Sequence, residues 1–391
     1  MSRRGFTARA KQAVTTARPI DLPGKATREF GRQWQRAKRV VRVRRRVYKR
    51  LMEKELEWDA PWSMRRPKWW RKGFLSRSSI LYRLDENGPE LYISDVQRYR
   101  STKRMVHARL QDVINNKLTT HLLLKAIDVP SSELLGVYAR GAVHSFPGEE
   151  RTRVNDYLLG LEEDRRIFVK PFTGAEGKRV HSIRRMGDKF KVDGEMLDAD
   201  GAAEMIRQQR RPMVVEAGVE QHPAQRALFA ETTNTIRILT MLDIETRQPF
   251  IVLGVQRIGT ERSGHVDNWS QGGLSASIDL DSGVLSRATW LPRDNDNELR
   301  WFDDHPETGS PIAGQVVPFW EETKEVILRA ARTLSFLEYV GWDVILGESG
   351  PIVLEANINS GMNVLQVHKP LLADPRARAY FERRGVVKRS S

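Results

Sequence analysis

Residues 340–363 read Val-Gly-Trp-Asp-Val-Ile-Leu-Gly-Glu-Ser-Gly-Pro-Ile-Val-Leu-Glu-Ala-Asn-Ile-Asn-Ser-Gly-Met-Asn. Two short runs rich in Val, Ile and Leu flank residues 347–351, whose Gly-Glu-Ser-Gly-Pro chemistry is that of a hairpin turn. The first run carries Asp343. The second carries Glu355 and Asn357, two apart, so both side chains leave the same face of a strand. If the runs pair across the turn, three oxygen donors converge on one spot. A hard cation such as Mg2+ takes few protein oxygens, carboxylate first, and leaves its other positions to water and phosphate. The plainer alternative is a strand with polar residues facing water. Against it, an acid within an apolar run is costly to bury unless it is paired or metal-bound.

Upstream, residues 316–336 carry a helical stripe of Val326, Ile327, Ala330, Ala331, Leu334 and Leu337. The spacing predicts a helix over 316–336, stopped at Gly341 and packed behind the sheet. The run Thr233-Asn-Thr-Ile-Arg-Ile-Leu-Thr-Met alternates, placing Thr235, Arg237 and Leu239 on one face. An arginine there needs an anion. Two more strands are expected at 249–258 and 274–280. The loop between them, His265-Val-Asp-Asn-Trp-Ser-Gln-Gly-Gly, is polar enough to line a site.

A second block spans 166–197. Ile167-Phe-Val-Lys-Pro-Phe and Arg179-Val-His-Ser-Ile-Arg read as strands around Thr173-Gly-Ala-Glu-Gly-Lys178. Lys170 lies inside the first strand, where a long cation needs a partner or an aqueous cleft. Gly174 and Gly177 allow a tight turn that brings backbone N–H groups, with Lys178, near an anion. Lys170 would be a point charge to phosphate oxygens; the alternative is an ordinary glycine hairpin. Lys117 opens an amphipathic helix that ends before Pro130, and a strand follows from Leu134. Residues 72–115 read as mainly helical.

Three short phrases narrow the match: Asn234-Thr-Ile-Arg-Ile, Ser270-Gln-Gly-Gly and Gly341-Trp-Asp, with Glu355-x-Asn357 and then Asn359-Ser-Gly. In order, they resemble the sugar-transfer-associated ATP-grasp family, over roughly residues 72–370. The resemblance implies an α+β fold in which two ATP-grasp lobes enclose ATP behind a basic N-terminal helical extension. It implies ATP and Mg2+ as cofactors, with Mn2+ an alternative, and Asp343, Glu355 and Asn357 as metal ligands. Lys117 and Lys170 would reach the nucleotide phosphates, and Arg237 would face the transferred phosphate. Glu216, Ala217 and Val219 would form the adenine hinge, with Glu220 on the ribose; an interlobe linker is the competing reading. Asn268, Ser270, Gly272 and Gly273 would contact phosphate or acceptor, while His222, in a His-Pro shared with the family, is given no chemistry. The implied reaction is carboxylate–amine ligation through an acyl phosphate, in cell-envelope polysaccharide or peptide modification. Two rivals stay open: an ATP-grasp kinase acting on a hydroxyl, and a nucleic-acid-binding protein. The segments expected are a basic arm at 1–60, a helical stretch at 61–115, a first lobe at 116–210 and a second at 211–391.

Composition agrees with a site that uses no protein nucleophile. The chain has no Cys, which excludes disulfides, thiolate metal sites and cysteine catalysis. No apolar run approaches the ~20 residues of a bilayer span, and no signal-peptide core opens the chain, so a cytoplasmic location is expected. The net charge of +15 is unevenly spread. Residues 1–75 hold 23 Lys and Arg against 6 Asp and Glu, whereas the remainder holds 42 against 44. Within that arm, residues 1–32 lack periodicity and read as flexible. From 33 to 57 the chain reads as a helix carrying Val40, Val43, Val47 and Leu51 among arginines. Half of the ten Trp lie at 34, 58, 62, 69 and 70. Such an arm suits an anionic membrane surface at the inner face, an acidic partner, nucleic acid, or simple docking of the Val stripe. Nucleic acid ranks last because the rest of the chain is nearly neutral.

Overall fold

The computed structural model describes residues 38, 42, 45–58, 60–101, 105–106, 108–148, 150–174, 179–264, 266–292, 299–358 and 360–389. The readings at 1–37, Val40, Val43, Gly177, Lys178 and Asn359 lie outside them. Residues 45–57 are helical, as their spacing predicts. The chain divides into two units after Lys54. The second unit carries two sheets and the candidate site.

Among the described residues the strands form two antiparallel sheets. The first comprises β1 (Leu134–Ala139), β2 (Ala142–Ser145), β3 (Arg151–Arg153), β4 (Arg166–Pro171), β5 (His181–Met186), β6 (Lys189–Val192), β7 (Glu195–Leu197) and β8 (Met213–Ala217). Their order is β3-β2-β1-β8-β4-β5-β6-β7. The strand at 213–217, at the start of the segment read as the second lobe, is thus central to the first sheet, between β1 and β4. Its mostly apolar run, interrupted by Glu216, marks a buried strand but not which sheet it joins. In β1 and β4 burial alternates. One face packs on the helices Val154–Leu159 and Ala199–Arg207 through Val169, Ile183, Phe190 and Ile206. The other face carries Lys170.

The second sheet comprises β9 (Ile236–Leu242), β10 (Pro249–Ile258), β11 (Leu274–Ile278), β12 (Leu285–Trp290), β13 (Trp301–Phe302), β14 (Tyr339–Gly347) and β15 (Gly350–Asn357). Its order is β13-β12-β11-β10-β9-β14-β15. Both faces are covered, and every residue of β14 is buried. Ile236, Ile238, Val340 and Trp342 pack with Ile327, Ala330 and Ala331 of a helix on one face. Leu239, Met241 and Tyr339 pack with Leu81, Tyr82, Ile93, Tyr380 and Phe381 on the other. Trp342 is fully buried and donates from Nε1 to Thr240 Oγ1 at 2.9 Å. Its removal to Ala is expected to cost about 3–5 kcal/mol.

The helix expected at 316–336 spans only Trp320–Thr333. Phe319 sits at φ 53°, a left-handed conformation that prevents the helix from starting earlier. Gly341 does not stop it; that glycine lies within β14. The predicted stripe is buried nonetheless, including Leu334 and Leu337 beyond the last turn. The stretch 72–115 forms short helices, among them Ser76–Leu81, Asp95–Ser101 and Ala108–Asn115. Gln366 holds this stretch to the segment after β15: its Oε1 accepts from Ile93 N at 2.9 Å, and its Nε2 donates to Ile93 O at 3.1 Å.

Candidate active site

The site begins as a rung across the second sheet. Register places Val255 of β10, Arg237 of β9, Asp343 of β14 and Glu355 of β15 directly opposite one another. Side chains on one rung share a face, so three charged groups separated by up to 118 residues in sequence stand side by side. A register shift in the β14–β15 ladder follows Asp343. Irregularities of this kind re-aim side chains beside functional sites.

Asp343 is the hub. Arg237 grips it with two nitrogens: Nε bonds Oδ1, and Nη2 donates to Oδ2 at 2.8 Å. Arg257 Nη2 lies 3.4 Å from the same carboxylate. Asn357 Nδ2 donates to Oδ2 at 3.1 Å. Burial alone would raise the Asp343 carboxyl, but Arg237 and Arg257 outweigh it and hold the group below the usual carboxylate range. Arg237 also donates from Nη1 to Ser360 Oγ at 3.0 Å. Gly341 makes room for this: a Cβ on it would stand 2.5 Å from Ser360 Cβ and 3.4 Å from Arg237 Cδ.

Arg257, Thr235 and Asp267 form a second layer that the sequence reading did not single out. Arg257 Nε donates to Thr235 Oγ1 at 2.9 Å and lies 3.5 Å from Asp267 Oδ2. Thr235 N donates to Asp267 Oδ2 at 2.8 Å. Burial would lower the Arg257 guanidinium, but Asp267 and Asp343 outweigh it and raise its pKa. The logic applied to Arg237, an arginine within a buried strand, applies equally to Arg257 and identifies it.

Glu355 faces the first sheet's side of the site. Lys117 Nζ lies 2.7 Å from Glu355 Oε1 and 3.5 Å from Gly174 O. The lysine is the first residue of the helix Lys117–Ala126, which Asn116 caps by accepting from Leu118 N and Thr119 N. Its own N–H donates to Phe172 O at 2.8 Å, tying the helix start to the end of β4. Lys170 and Glu216, on the adjacent strands β4 and β8, pair at 2.8 Å, and Ser132 Oγ donates to the same Glu216 oxygen at 2.9 Å. Burial would lower Lys170 and raise Glu216. Their mutual attraction outweighs it, leaving the lysine raised and the glutamate lowered. Burial lowers the nearby His121 imidazole.

The structure therefore brings together Lys117, Lys170, Glu216, Arg237, Asp343, Glu355 and Asn357, with Gly174 at the edge. The Glu216 side chain, expected in an adenine hinge, is committed to Lys170. The Glu216 and Ala217 backbones pair with β1 and β4, Ala217 N donating to Glu133 O at 2.9 Å, so of the residues expected in the hinge only Val219 lies beyond these ladders. Glu220 is exposed and bonds Arg184 at 3.1 Å and Arg226 at 2.9 Å. Asn268 caps the turn Trp269–Gln271 by accepting from Ser270 N at 3.0 Å. Gly273 is fixed by packing, since a Cβ there would stand 2.8 Å from Asp267 O and 2.9 Å from Ile258 O. His222 caps the helix Pro223–Leu228.

Among the described residues no three His, Asp or Glu side chains cluster as a closed metal cage. The hairpin offers two carboxylates and an amide. This short oxygen-donor set suits a cation that keeps positions for water and phosphate, so the residues fit Mg2+.

Residues 97–378 match the family described as sugar-transfer associated ATP-grasp. No curated protein sequence matches the chain. Among solved structures, D-alanyl-alanine synthetase A from Vibrio cholerae is similar with a TM-score of 0.39 and 13% identity, over 69% of this chain and 63% of that one. The purK N5-carboxyaminoimidazole ribonucleotide synthetase is similar with a TM-score of 0.38 and 8% identity, over 66% of this chain and 48% of that one. The chain thus spans about half to two thirds of these two proteins.

Proposed function

The chain belongs to the sugar-transfer associated ATP-grasp family, and on that premise we propose that it is an ATP- and Mg2+-dependent ligase joining a carboxylate to an amine. The observation that carries this reading is the packing of Arg237, Asp343, Glu355, Asn357 and Lys117 into one contiguous set. These are the parts needed to hold a triphosphate and stabilise a moving phosphoryl group. Asp343, Glu355 and Asn357 would hold the cation, which when bound neutralises charge on the β- and γ-phosphates.

The chain's own groups do the rest. Lys117 and Lys170 are point charges for phosphate oxygens. Arg237, fixed by Asp343 and Ser360, presents a rigid fork to the phosphoryl in flight. A substrate carboxylate oxygen attacks the γ-phosphorus, the bond to the β,γ-bridging oxygen breaks, and ADP leaves. The acyl phosphate is then attacked by the amine, which loses a proton as phosphate departs and an amide forms. Acid–base demands on the protein are slight, in keeping with a set made of cations and ligands.

An ADP-release screen over carboxylate and amine pairs tests this reading. Ligation requires both substrates together and yields an amide. Phosphate left in a stable ester on a hydroxyl acceptor would establish the kinase instead. Absence of turnover with any pair, with nucleotide binding unchanged in Asp343→Asn, would sink the site assignment.

A further inference from the structure

Outside this site, the face built by residues 61–72 has a chemistry that ligation does not use. Residues 61–75 hold five Lys and Arg and no Asp or Glu. The segment is fixed from beneath. Arg65 turns inward to Glu55 at 3.2 Å, Glu55 accepts from Ser76 N at 2.9 Å, and Trp69 is buried against Phe74. With those anchors set, Trp62 is left 69% exposed. It stands edge-on to half-buried Trp70, ring centroids 6.3 Å apart. Lys68, Arg71 and Lys72, on the same short segment, are exposed. The Lys68 and Lys72 ammonium groups lie 5.5 and 4.8 Å from the Trp69 ring centre. Asp85 offsets part of the charge by pairing with Arg66 at 2.7 Å and with Lys68. A positive excess around a protruding indole remains.

We propose that this face docks peripherally on an anionic bilayer, Trp62 entering the headgroup layer while Lys68, Arg71 and Lys72 meet lipid phosphates. An indole has an apolar body and a polar N–H, which suits it to the water–lipid boundary, and clustered Lys and Arg favour anionic leaflets. One such patch binds weakly, and stable attachment takes a second signal. Residues 1–54 supply one in sequence, with 18 Lys and Arg against 3 Asp and Glu. A bilayer needs only a local patch of the folded body, whereas a nucleic-acid strand extending past it would run along a body that is nearly neutral beyond residue 75, with 42 Lys and Arg against 44 Asp and Glu. Among the described residues no helix is long and apolar enough to cross a membrane, so the attachment is to the surface.

Sedimentation of the full chain with vesicles tests this. It should partition onto phosphatidylcholine–phosphatidylglycerol vesicles, not onto phosphatidylcholine alone, and added salt should weaken the binding. Trp62→Ser is expected to weaken it about tenfold. Arg71→Glu/Lys72→Glu should weaken it on the order of thirtyfold or more. Both variants alter exposed side chains and should melt at the wild-type temperature; if one fails to fold, the other decides. The proposal is overturned if the full chain ignores anionic vesicles, or if a folded variant binds them as wild type does. Tighter binding to single-stranded RNA than to vesicles, weakened by Arg71→Glu/Lys72→Glu but not by Trp62→Ser, would likewise overturn the proposal and assign the face to nucleic acid.

Discussion

Each sheet buries a strand cation against a carboxylate, but the two arrangements differ in kind. In the first sheet, Lys170 and Glu216 form a one-to-one pair on neighbouring strands, completed by Ser132. In the second, Asp343 lies between Arg237 and Arg257, and Asn357 also donates to it. Lysine is a compact charge on a flexible stem and tolerates rearrangement. Arginine's planar fork fixes the geometry of what it grips. The first arrangement therefore reads as an adjustable contact and the second as a preset one. Under the proposed ligase reading, the reacting groups need to be preset, whereas residues that only hold phosphate can move.

The sharpest way to break this contrast is to neutralise the hub. Asp343→Asn should lower ATP turnover on the order of a thousandfold or more, read as ADP release. Calorimetry should show the affinity for Mg2+–nucleotide falling with it. Retention of near wild-type turnover would mean that the preset arrangement is structural only.

Next comes the first-sheet pair, whose loss should appear as stability. Lys170→Met leaves a buried carboxylate uncompensated and should cost about 3–5 kcal/mol in denaturant melts. Lys170→Met/Glu216→Gln should regain most of that loss. A double variant no more stable than the single would show that the pair is not the source.

The conservative exchange probes the difference directly. Arg237→Lys keeps the charge but loses the fork, and kcat should fall about a hundredfold with the fold intact. Lys170→Arg should cost less. Equal losses would erase the distinction between the two regions.

Gly341→Ala should be milder, about 1–3 kcal/mol, since the added methyl forces Ser360 aside and loosens Arg237. Titration gives the smallest and most graded effect. The Glu216 carboxyl is lowered from 4.5, so its contribution is present above that value and fades as pH falls through and below it. Lys170 is raised from 10.5, so its contribution is present below that value and fades as pH rises above it. The stability gap between wild type and the double variant should be flat between those limits and shrink outside them. A gap that changes within them would point to another titrating group.

Much of the site was readable from local pattern. The hairpin, the Glu355-x-Asn357 spacing, the alternation around Arg237 and the helix opened by Lys117 all rest on short-range periodicity or turn chemistry. What escaped was either read too narrowly or set at long range. Arg257 sits in an expected strand and obeys the rule applied to Arg237. The strand that carries Glu216 does not by itself reveal Lys170 beside it. The helix stripe is legible from its spacing, but the helix start depends on one backbone angle at Phe319.

The sequence by itself determined which residue types this protein brings to its chemistry, and on which strands and turns they ride, because those features depend on neighbours a few positions away. Only the tertiary structure decided which carboxylate meets which cation, and that residues 213–217 complete the first sheet. Arg237 and Asp343 are 106 positions apart, and Lys117 and Glu355 are farther still. Strand register and sheet order set those pairings, and they are fixed by burying whole faces together rather than by any short stretch of chain.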